Sequence, residues 1–313
     1  EQARNANLKH RPVGLGVMGL QDALYTTGIP FASDEAIEFS DRFMELISYH
    51  AILSSCDLAK ERGTYESYDG SLWSKGMVPL DSIELLKQGR GGAELLKMDT
   101  SSTLDWEHVR ARVKAGIRNS NIMAIAPTAT IANIVGVSQS IEPTYQNLYV
   151  KSNLSGEFTL INRHLVQALK ALDLWDAAMI NDLKHFEGSL AKIERIPADV
   201  RAQFATAFEI DPRFFIDAAS RRQKWIDQAQ SLNLYIDRAD GKKLDFIYRM
   251  AWLMGLKTTY YLRALAATST EKSTTTTGTL NAVKPSEPSV SAATPAPVPK
   301  ACSLDDPECS ACE

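Results

Sequence analysis

The chain has 313 residues, with 34 basic against 38 acidic side chains, a net charge of −4 and an ordinary apolar content of 44%. This balance argues against a nucleic-acid-binding surface, and no run approaches the roughly 18 apolar residues that a membrane span needs. Four cysteines in this length do not make a disulfide scaffold, and no signal peptide opens the chain, so a reducing cytoplasmic setting is expected.

The sequence begins Glu1-Gln-Ala-Arg without an initiator Met, and apolar, glycine-containing sequence follows almost at once, so it reads as the C-terminal part of something longer. Residues 10–25 read as a short strand, Pro12 to Val17, turning at glycines into a helix through Leu20 and Leu24. Gly14-Leu-Gly16-Val-Met-Gly19 matches the GxGxxG of dinucleotide sites, which requires a hydrophobic strand ahead of the first glycine. Lys9-His-Arg-Pro12 stands there instead, and the nearest acids, Asp34 and Glu35, open another helix. Tight strand–helix packing is the competing reading.

A long helix is expected from Ser33 to about Arg62, capped by Ser33, favoured at its start by Asp34 and Glu35, and ended by Gly63. Phe39, Phe43, Leu46, Ile47, His50 and Leu53 share one face at helical spacing, which places His50 in the core as a hydrogen-bonded histidine. Cys56 reads as a small buried apolar residue. Residues 63–103 look irregular, and a helix from Leu104 to Ala115 ends at Gly116.

Asn121 to Ala126 is a short apolar strand leading into Pro127-Thr-Ala-Thr-Ile131 and a helical Ile131–Val135. Proline suits a first helical turn. The free N–H groups from Thr128 to Ile131, with the Thr128 and Thr130 hydroxyls, could then cradle a phosphate; an ordinary capped junction is the alternative. Further on, a helix is expected from Asn162 to Leu172. Helical pieces between 176 and 228, separated by Pro197 and Pro212, use Trp175, Phe204, Phe208, Phe214 and Phe215 as packing anchors. Ser231 to Ile236 alternates like a strand, Lys243 to Leu256 is a helix apolar on most of its circumference and hence buried, and Thr258 to Leu262 is again a strand. Strand, crossover helix and strand imply parallel pairing, so residues 1–265 read as an α/β body.

Tyr260 and Tyr261 are by default space-filling β-formers, but two phenols in contact could also hand a radical along. Residues 266–301 form a linker: Thr268 to Ala301 is dominated by Thr, Ser, Pro and Ala, too poor in apolar surface to offset the entropy of ordering. The tail, 302–313, carries Cys302, Cys309 and Cys312. Zinc would want four ligands and the tail has three thiols and no His, so Cys309-Ser-Ala-Cys312 favours a reversible disulfide over a metal site. A flexible tether of about 34 residues reaches roughly 30–35 Å, enough to enter a cleft of its own domain.

Taken together, several stretches resemble the C-terminal half of the large subunit of class I ribonucleotide reductase. They are Arg11-Pro-Val-Gly-Leu-Gly-Val-Met-Gly-Leu, Ser55-Cys-Asp-Leu-Ala-Lys, Gly116-Ile-Arg-Asn-Ser, Pro127-Thr-Ala-Thr, Ser140-Ile-Glu-Pro, Leu154-Ser-Gly-Glu-Phe, Asp227-Gln-Ala-Gln-Ser-Leu-Asn, Gly255-Leu-Lys-Thr-Thr-Tyr-Tyr-Leu-Arg and the cysteine tail. They run in order from residue 11 to the C-terminus. The resemblance implies the second half of a ten-stranded α/β barrel with surrounding helices, followed by a disordered tail. It implies that Thr128, Ala129, Thr130 and Ile131 hold the substrate diphosphate and that Tyr260 and Tyr261 relay a radical from the small subunit. Tyr260 would lie nearer the active-site cysteine and Tyr261 nearer the subunit interface. Cys309 and Cys312 become the shuttle that reduces the active-site disulfide and is re-reduced by thioredoxin or glutaredoxin; Cys302 receives no role.

The implied reaction replaces the ribose 2′-OH of a ribonucleoside diphosphate by hydrogen, for DNA synthesis. The implied partners are the metal-containing small subunit, which supplies the radical, and a second large subunit. This segment would bind no cofactor or metal of its own, and nucleotide effectors would bind outside it. The family's radical cysteine and active-site disulfide pair would lie upstream of residue 1, and Cys56 does not fit their motif, so this polypeptide alone is expected to be inactive.

Overall fold

The structure, a computed structural model, describes residues 1–153, 156–238 and 240–265, the side chains of 151–153, 156 and 157 excepted. The expected linker and the tail with Cys302, Cys309 and Cys312 lie outside the described residues. Four extended segments lie side by side, in chain order and all parallel. Val13 and Leu15 donate to Asn121 and Ile122 (3.0 and 2.7 Å), and Ala124 donates back to Leu15 (2.9 Å). Gln228 then donates to Met123, Ile125 to Ala229 and Ser231 to Ile125. Finally, Tyr260 donates to Leu232 and Leu234 to Tyr261, and Leu234–Ile236 pairs in parallel with Leu262–Ala264. Neighbours that are parallel and consecutive require helical crossovers, which makes the body α/β. Among the described residues no further strand pairs with the outer side of either edge segment.

The expected strand from Pro12 to Val17 forms only one bridge, Leu15 to Met123. Its glycines serve close approach: a Cβ on Gly16 would stand 2.3 Å from the Ala124 carbonyl oxygen. The GxGxxG stretch is thus used for packing, but of one extended segment against another. Gly19, at φ 82°, starts helix α2 (Leu20–Thr27), after an unexpected α1 (Gln2–His10).

Helix α3 (Asp34–Arg62) has the expected ends, with the Ser33 hydroxyl accepting from Ala36 N–H (3.1 Å) and Gly63 as the stop. Its buried face is not the expected one. Met44, Ile52 and Cys56 are buried together with Asp41, Glu45 and Ser48, while Leu46 and His50 are exposed. Buried carboxylates on this face persist because each is satisfied. Asp41 accepts from Trp225 Nε1 (2.7 Å) and Lys224 Nζ (3.1 Å), and Ser48 donates to the Trp225 carbonyl (2.7 Å).

The stretch 63–103 holds a helix α4 (Ser82–Gly89) and 3₁₀ turns at Pro79–Asp81 and Ala93–Leu95. Helix α5 (Trp106–Ala115), capped by Asp105, places Trp106 in a stack on Trp225 at 5.0 Å. After α6 (Ile131–Val135), strands β1 (Leu148–Asn153) and β2 (Gly156–Ile161) form an antiparallel hairpin that the sequence reading left unassigned. Helix α7 (Arg163–Ala171) is capped by Asn162 and α8 (Ala177–His185) by Asp176. The two prolines open helices, Pro197 capping α9 (Ala198–Gln203) and Pro212 beginning α10 (Pro212–Gln223).

Phe204 and Phe215 are buried, whereas Trp175, Phe208 and Phe214 are only half-buried. After β3 (Leu234–Ile236), helix α11 (Gly241–Leu253) leads to β4 (Leu262–Ala264). The expectation that α11 is buried around most of its circumference fails. Only Ile247 and Ala251 are buried, Phe246 and Tyr248 stand in solvent, and the exposed Trp252 is covered on one face by the Arg90 guanidinium at 3.8 Å.

Candidate active site

The turn from Pro127 to Thr130 leaves the C-terminal end of segment 122–125 and enters α6, whose first residue is Ile131, so Pro127 precedes the helix instead of sitting in its first turn. Thr128 takes the left-handed conformation at φ 53°, a costly one for a β-branched residue. Its Oγ1 accepts from the Ser140 N–H at 2.8 Å, and its carbonyl accepts from Ala132 at 2.9 Å. An oxygen that accepts from an amide still has its own proton to give, so the Thr128 hydroxyl remains a donor.

Ala129, Thr130 and Ile131 are exposed, and amides at a helix start have no intrahelical acceptor. The partner loop is itself pinned to α2: Gly19 donates to the Ser138 carbonyl (2.8 Å) and Ser138 N–H to Asp22 Oδ2 (2.6 Å). His164 reaches the other Asp22 oxygen at 3.2 Å. The result is a braced, outward-facing set of donors suited to an anion.

Tyr260 and Tyr261 touch. Their hydroxyl oxygens are 3.3 Å apart, their ring centroids 4.1 Å apart, and both rings are about half exposed. The bond to Tyr261 pushes the Tyr260 phenol above its ordinary pKa. Tyr260 N–H is held by the Leu232 carbonyl (2.7 Å), Tyr261 N–H by Asn233 Oδ1 (3.1 Å), and the Arg263 guanidinium lies 5.3 Å from the Tyr261 ring. Along the parallel segments Ile125 pairs with Gln230, and Tyr260 bonds to Leu232, two residues further on. In register, the tyrosine pair is therefore level with the start of the Pro127–Thr130 turn. The turn follows the C-terminal end of segment 122–125, whereas Tyr260 and Tyr261 stand at the start of the fourth segment, just ahead of β4.

Sequence reasoning missed a buried group beside these features. Glu142 is 9% exposed and its Oε2 accepts from Tyr235 Oη at 2.5 Å. Burial pushes the Glu142 carboxyl above the usual carboxylate range and the Tyr235 phenol upward as well. Arg222, fully buried, donates to Gln230 Oε1 (3.2 Å). The only available signal was that Glu142 and Asn233 lie within stretches quoted for the resemblance.

Elsewhere the chemistry is spent on structure. Cys56 is buried and its thiol is pushed up to about 11 by burial, which leaves it unreactive. A cavity of about 230 Å³ lies at the N-terminal end of the segments, lined by Trp73, Asn121, Asp227 and Lys257 among others. Asp227 there accepts from Ile122 and Met123 N–H (3.0 and 2.6 Å), and Lys257 Nζ donates to three carbonyls, those of Ile226, Asp227 and Gln228. Among the described residues no cluster of His, Cys, Asp or Glu could hold a metal ion, and no helix is long and apolar enough to cross a membrane.

Residues 1–262 match the family model of the ribonucleotide reductase barrel domain. The chain is 61% identical over 274 residues to the ribonucleoside-diphosphate reductase subunit alpha of Chlamydia trachomatis serovar D, a match covering 87% of this chain and 26% of that protein. It is 38% identical over 282 residues to the ribonucleoside-diphosphate reductase large subunit of Arabidopsis thaliana, covering 90% of this chain and 33% of that one. The solved class Id ribonucleotide reductase alpha subunit of Actinobacillus ureae superposes with a TM-score of 0.64 at 26% identity, over 84% of this chain and 41% of that chain. The chain therefore spans about a quarter to a third of the length of these curated relatives.

Proposed function

Because the chain belongs to the ribonucleotide reductase barrel-domain family, we propose that it is the C-terminal portion of a ribonucleoside-diphosphate reductase large subunit, carrying the diphosphate turn, the radical relay and the thiol shuttle. The contact between the Tyr260 and Tyr261 hydroxyls, 3.3 Å apart, supports this reading most directly. A phenol gives up its electron together with its proton, and two hydroxyls within reach of one another can pass both. The four parallel segments, with no further strand on either outer edge among the described residues, support a reading as most of one five-stranded half of a ten-stranded barrel.

In the reaction, a thiyl radical on the preceding part of the large subunit abstracts the 3′-hydrogen. The 2′-OH leaves as water, and a dithiol supplies two electrons and becomes a disulfide; the 3′-hydrogen is then returned. The residues of this chain contribute before and after that chemistry. Amides of Ala129, Thr130 and Ile131 and the Thr128 hydroxyl hold the diphosphate, so that the sugar meets the radical in a fixed geometry without reorganisation of the site. Tyr261 receives the radical from the metal-containing small subunit and Tyr260 passes it inward. Cys309 and Cys312 reduce the active-site disulfide by thiol exchange and are re-reduced by thioredoxin or glutaredoxin.

Replacing Tyr260 or Tyr261 by Phe in the full-length large subunit, assayed with its small subunit, removes the ionisable proton and abolishes turnover while ribonucleoside diphosphate binding is retained. Turnover surviving in both variants would sink the relay assignment.

A further inference from the structure

The phosphate turn and the tyrosine pair sit on different segments and do not touch directly in any contact described above, yet one buried side chain stands between them. Thr128 Oγ1 accepts from the Ser140 N–H (2.8 Å), and Ser140 is itself fixed in the left-handed conformation at φ 45°. Two residues later, Glu142 N–H closes the loop onto the Gln139 carbonyl (3.0 Å) and the Glu142 carboxylate turns inward to Tyr235 Oη. Asn233 lies against the same carboxylate, its polar groups favouring the ionised form, while its Oδ1 takes the Tyr261 N–H at 3.1 Å. Arg263, whose guanidinium covers the Tyr261 ring, also favours ionised Glu142 from its own side. The neighbours of Glu142 thus reach the Thr128 turn at one end and the backbone and ring of Tyr261 at the other.

A buried carboxylate cannot leave such partners cheaply, because burial limits its access to solvent that could replace them. When an anion draws the turn toward itself, the strain therefore passes to Asn233 and Tyr235 in preference to being lost in a flexible loop. We propose that Glu142 is a positioning residue, through which occupancy of the Thr128–Ile131 turn sets the placement of the Tyr260–Tyr261 pair. The inference rests on the reading of that turn as the diphosphate site. It deepens that reading by assigning a coupling function to a residue that touches neither substrate nor radical.

Contiguous contacts alone do not establish coupling, so the test must read the far end directly. In the full-length large subunit, 3-fluorotyrosine at position 261 reports its surroundings through its ¹⁹F resonance as a ribonucleoside diphosphate such as CDP is added. The parent protein is expected to show a nucleotide-dependent shift. Glu142→Gln, which keeps the size and removes the charge, and Tyr235→Phe, which keeps the ring and removes the hydroxyl, are expected to lose it. Equilibrium dialysis should show CDP affinity within threefold of the parent in both variants.

With tyrosine restored at 261 and the small subunit present, kcat should fall at least tenfold while KM stays within threefold, a split that general loosening of the site would not give. A full nucleotide-dependent shift in both variants overturns the proposal, as does a parent resonance that ignores bound CDP. Failure of the parent to bind CDP overturns the diphosphate reading and this inference together. If instead Tyr261→Phe retains turnover, only the relay reading falls, and the resonance still decides the coupling.

Discussion

Glu45 offers a sharp test of what holds the centre of this fold. Its side chain is 1% exposed. One oxygen accepts from Thr103 N–H (2.7 Å), Leu104 N–H (3.1 Å) and Trp106 Nε1 (3.0 Å), and the other from the Thr103 hydroxyl (2.6 Å). Glu45→Ala removes the acceptor of three N–H donors, Trp106 Nε1 buried and the Thr103 and Leu104 amides partly so, and a buried donor left unsatisfied costs about 1–3 kcal/mol. Some of that is recovered because a buried carboxylate no longer has to be desolvated, so the net cost is roughly 2–4 kcal/mol.

Glu45→Gln behaves differently. Its amide oxygen can take over the three N–H bonds, and its NH₂ can donate to Thr103 Oγ1 once that hydroxyl proton rotates away. Only the charge assistance is lost, about 1 kcal/mol. Hydrogen exchange of the peptide spanning residues 97–106 reads the difference, because the Thr103 and Leu104 amides are the bonds at issue. Exchange should quicken by roughly a hundredfold in the alanine variant, at about 1.4 kcal/mol per tenfold, and by less than about tenfold in the glutamine variant. Equal effects from the two would refute the donor accounting, and so would a negligible effect from alanine.

Burial alone would raise the Glu45 carboxyl, but the bonds from Thr103, Trp106 and Leu104 outweigh it and hold its pKa below the usual range. Its stabilisation is therefore complete above the unfolded value of about 4.3 and drains away as pH falls through the lower folded value. The advantage of the parent over Glu45→Gln should shrink on acidification through that window.

Other outcomes follow from the remaining features. Cys309→Ser with Cys312→Ser in the full-length subunit should block repeated turnover with thioredoxin while leaving about one round of chemistry, or activity with a small dithiol; undiminished thioredoxin-driven turnover would remove the shuttle role. The 313-residue chain alone, incubated with the small subunit and nucleoside diphosphate, should form no deoxynucleotide by chromatographic assay. Gly16→Ala should destabilise by at least about 1–3 kcal/mol, read as a lower melting temperature, because its Cβ would stand 2.3 Å from the Ala124 carbonyl. Unchanged melting with loss of a tight NAD or FAD complex would instead favour a dinucleotide site.

Helix α3 shows how far local signals reach. Ser33, Asp34 and Gly63 mark its ends through capping and dipole effects that act within a turn or two, and these ends were legible. Its buried face was not, because Asp41 and Glu45 are acceptable inside only once Trp106, Lys224 and Trp225 arrive from far along the chain. The same limit applies to α11. Phe246 and Tyr248 were legible as apolar, but apolar character states a preference for burial without naming what will cover it. The hairpin β1–β2 offered no clean alternation, and cross-strand pairing settled it.

The sequence by itself determined the α/β class, the resemblance that the family match bears out, and the position of the Pro127–Ile131 turn. Backbone sterics, glycine placement and chain-ordered motifs carry that information locally. Only the tertiary structure decided that the Tyr260 and Tyr261 hydroxyls meet, that Thr128 is braced by Ser140, and that Glu142 lies buried beside Tyr235 and Asn233. Contacts such as those of Glu142 are set by the requirement that every buried polar group find a partner. The partners of Glu142 lie some ninety residues away along the chain (Tyr235 is 93 residues on), beyond the range of any local pattern.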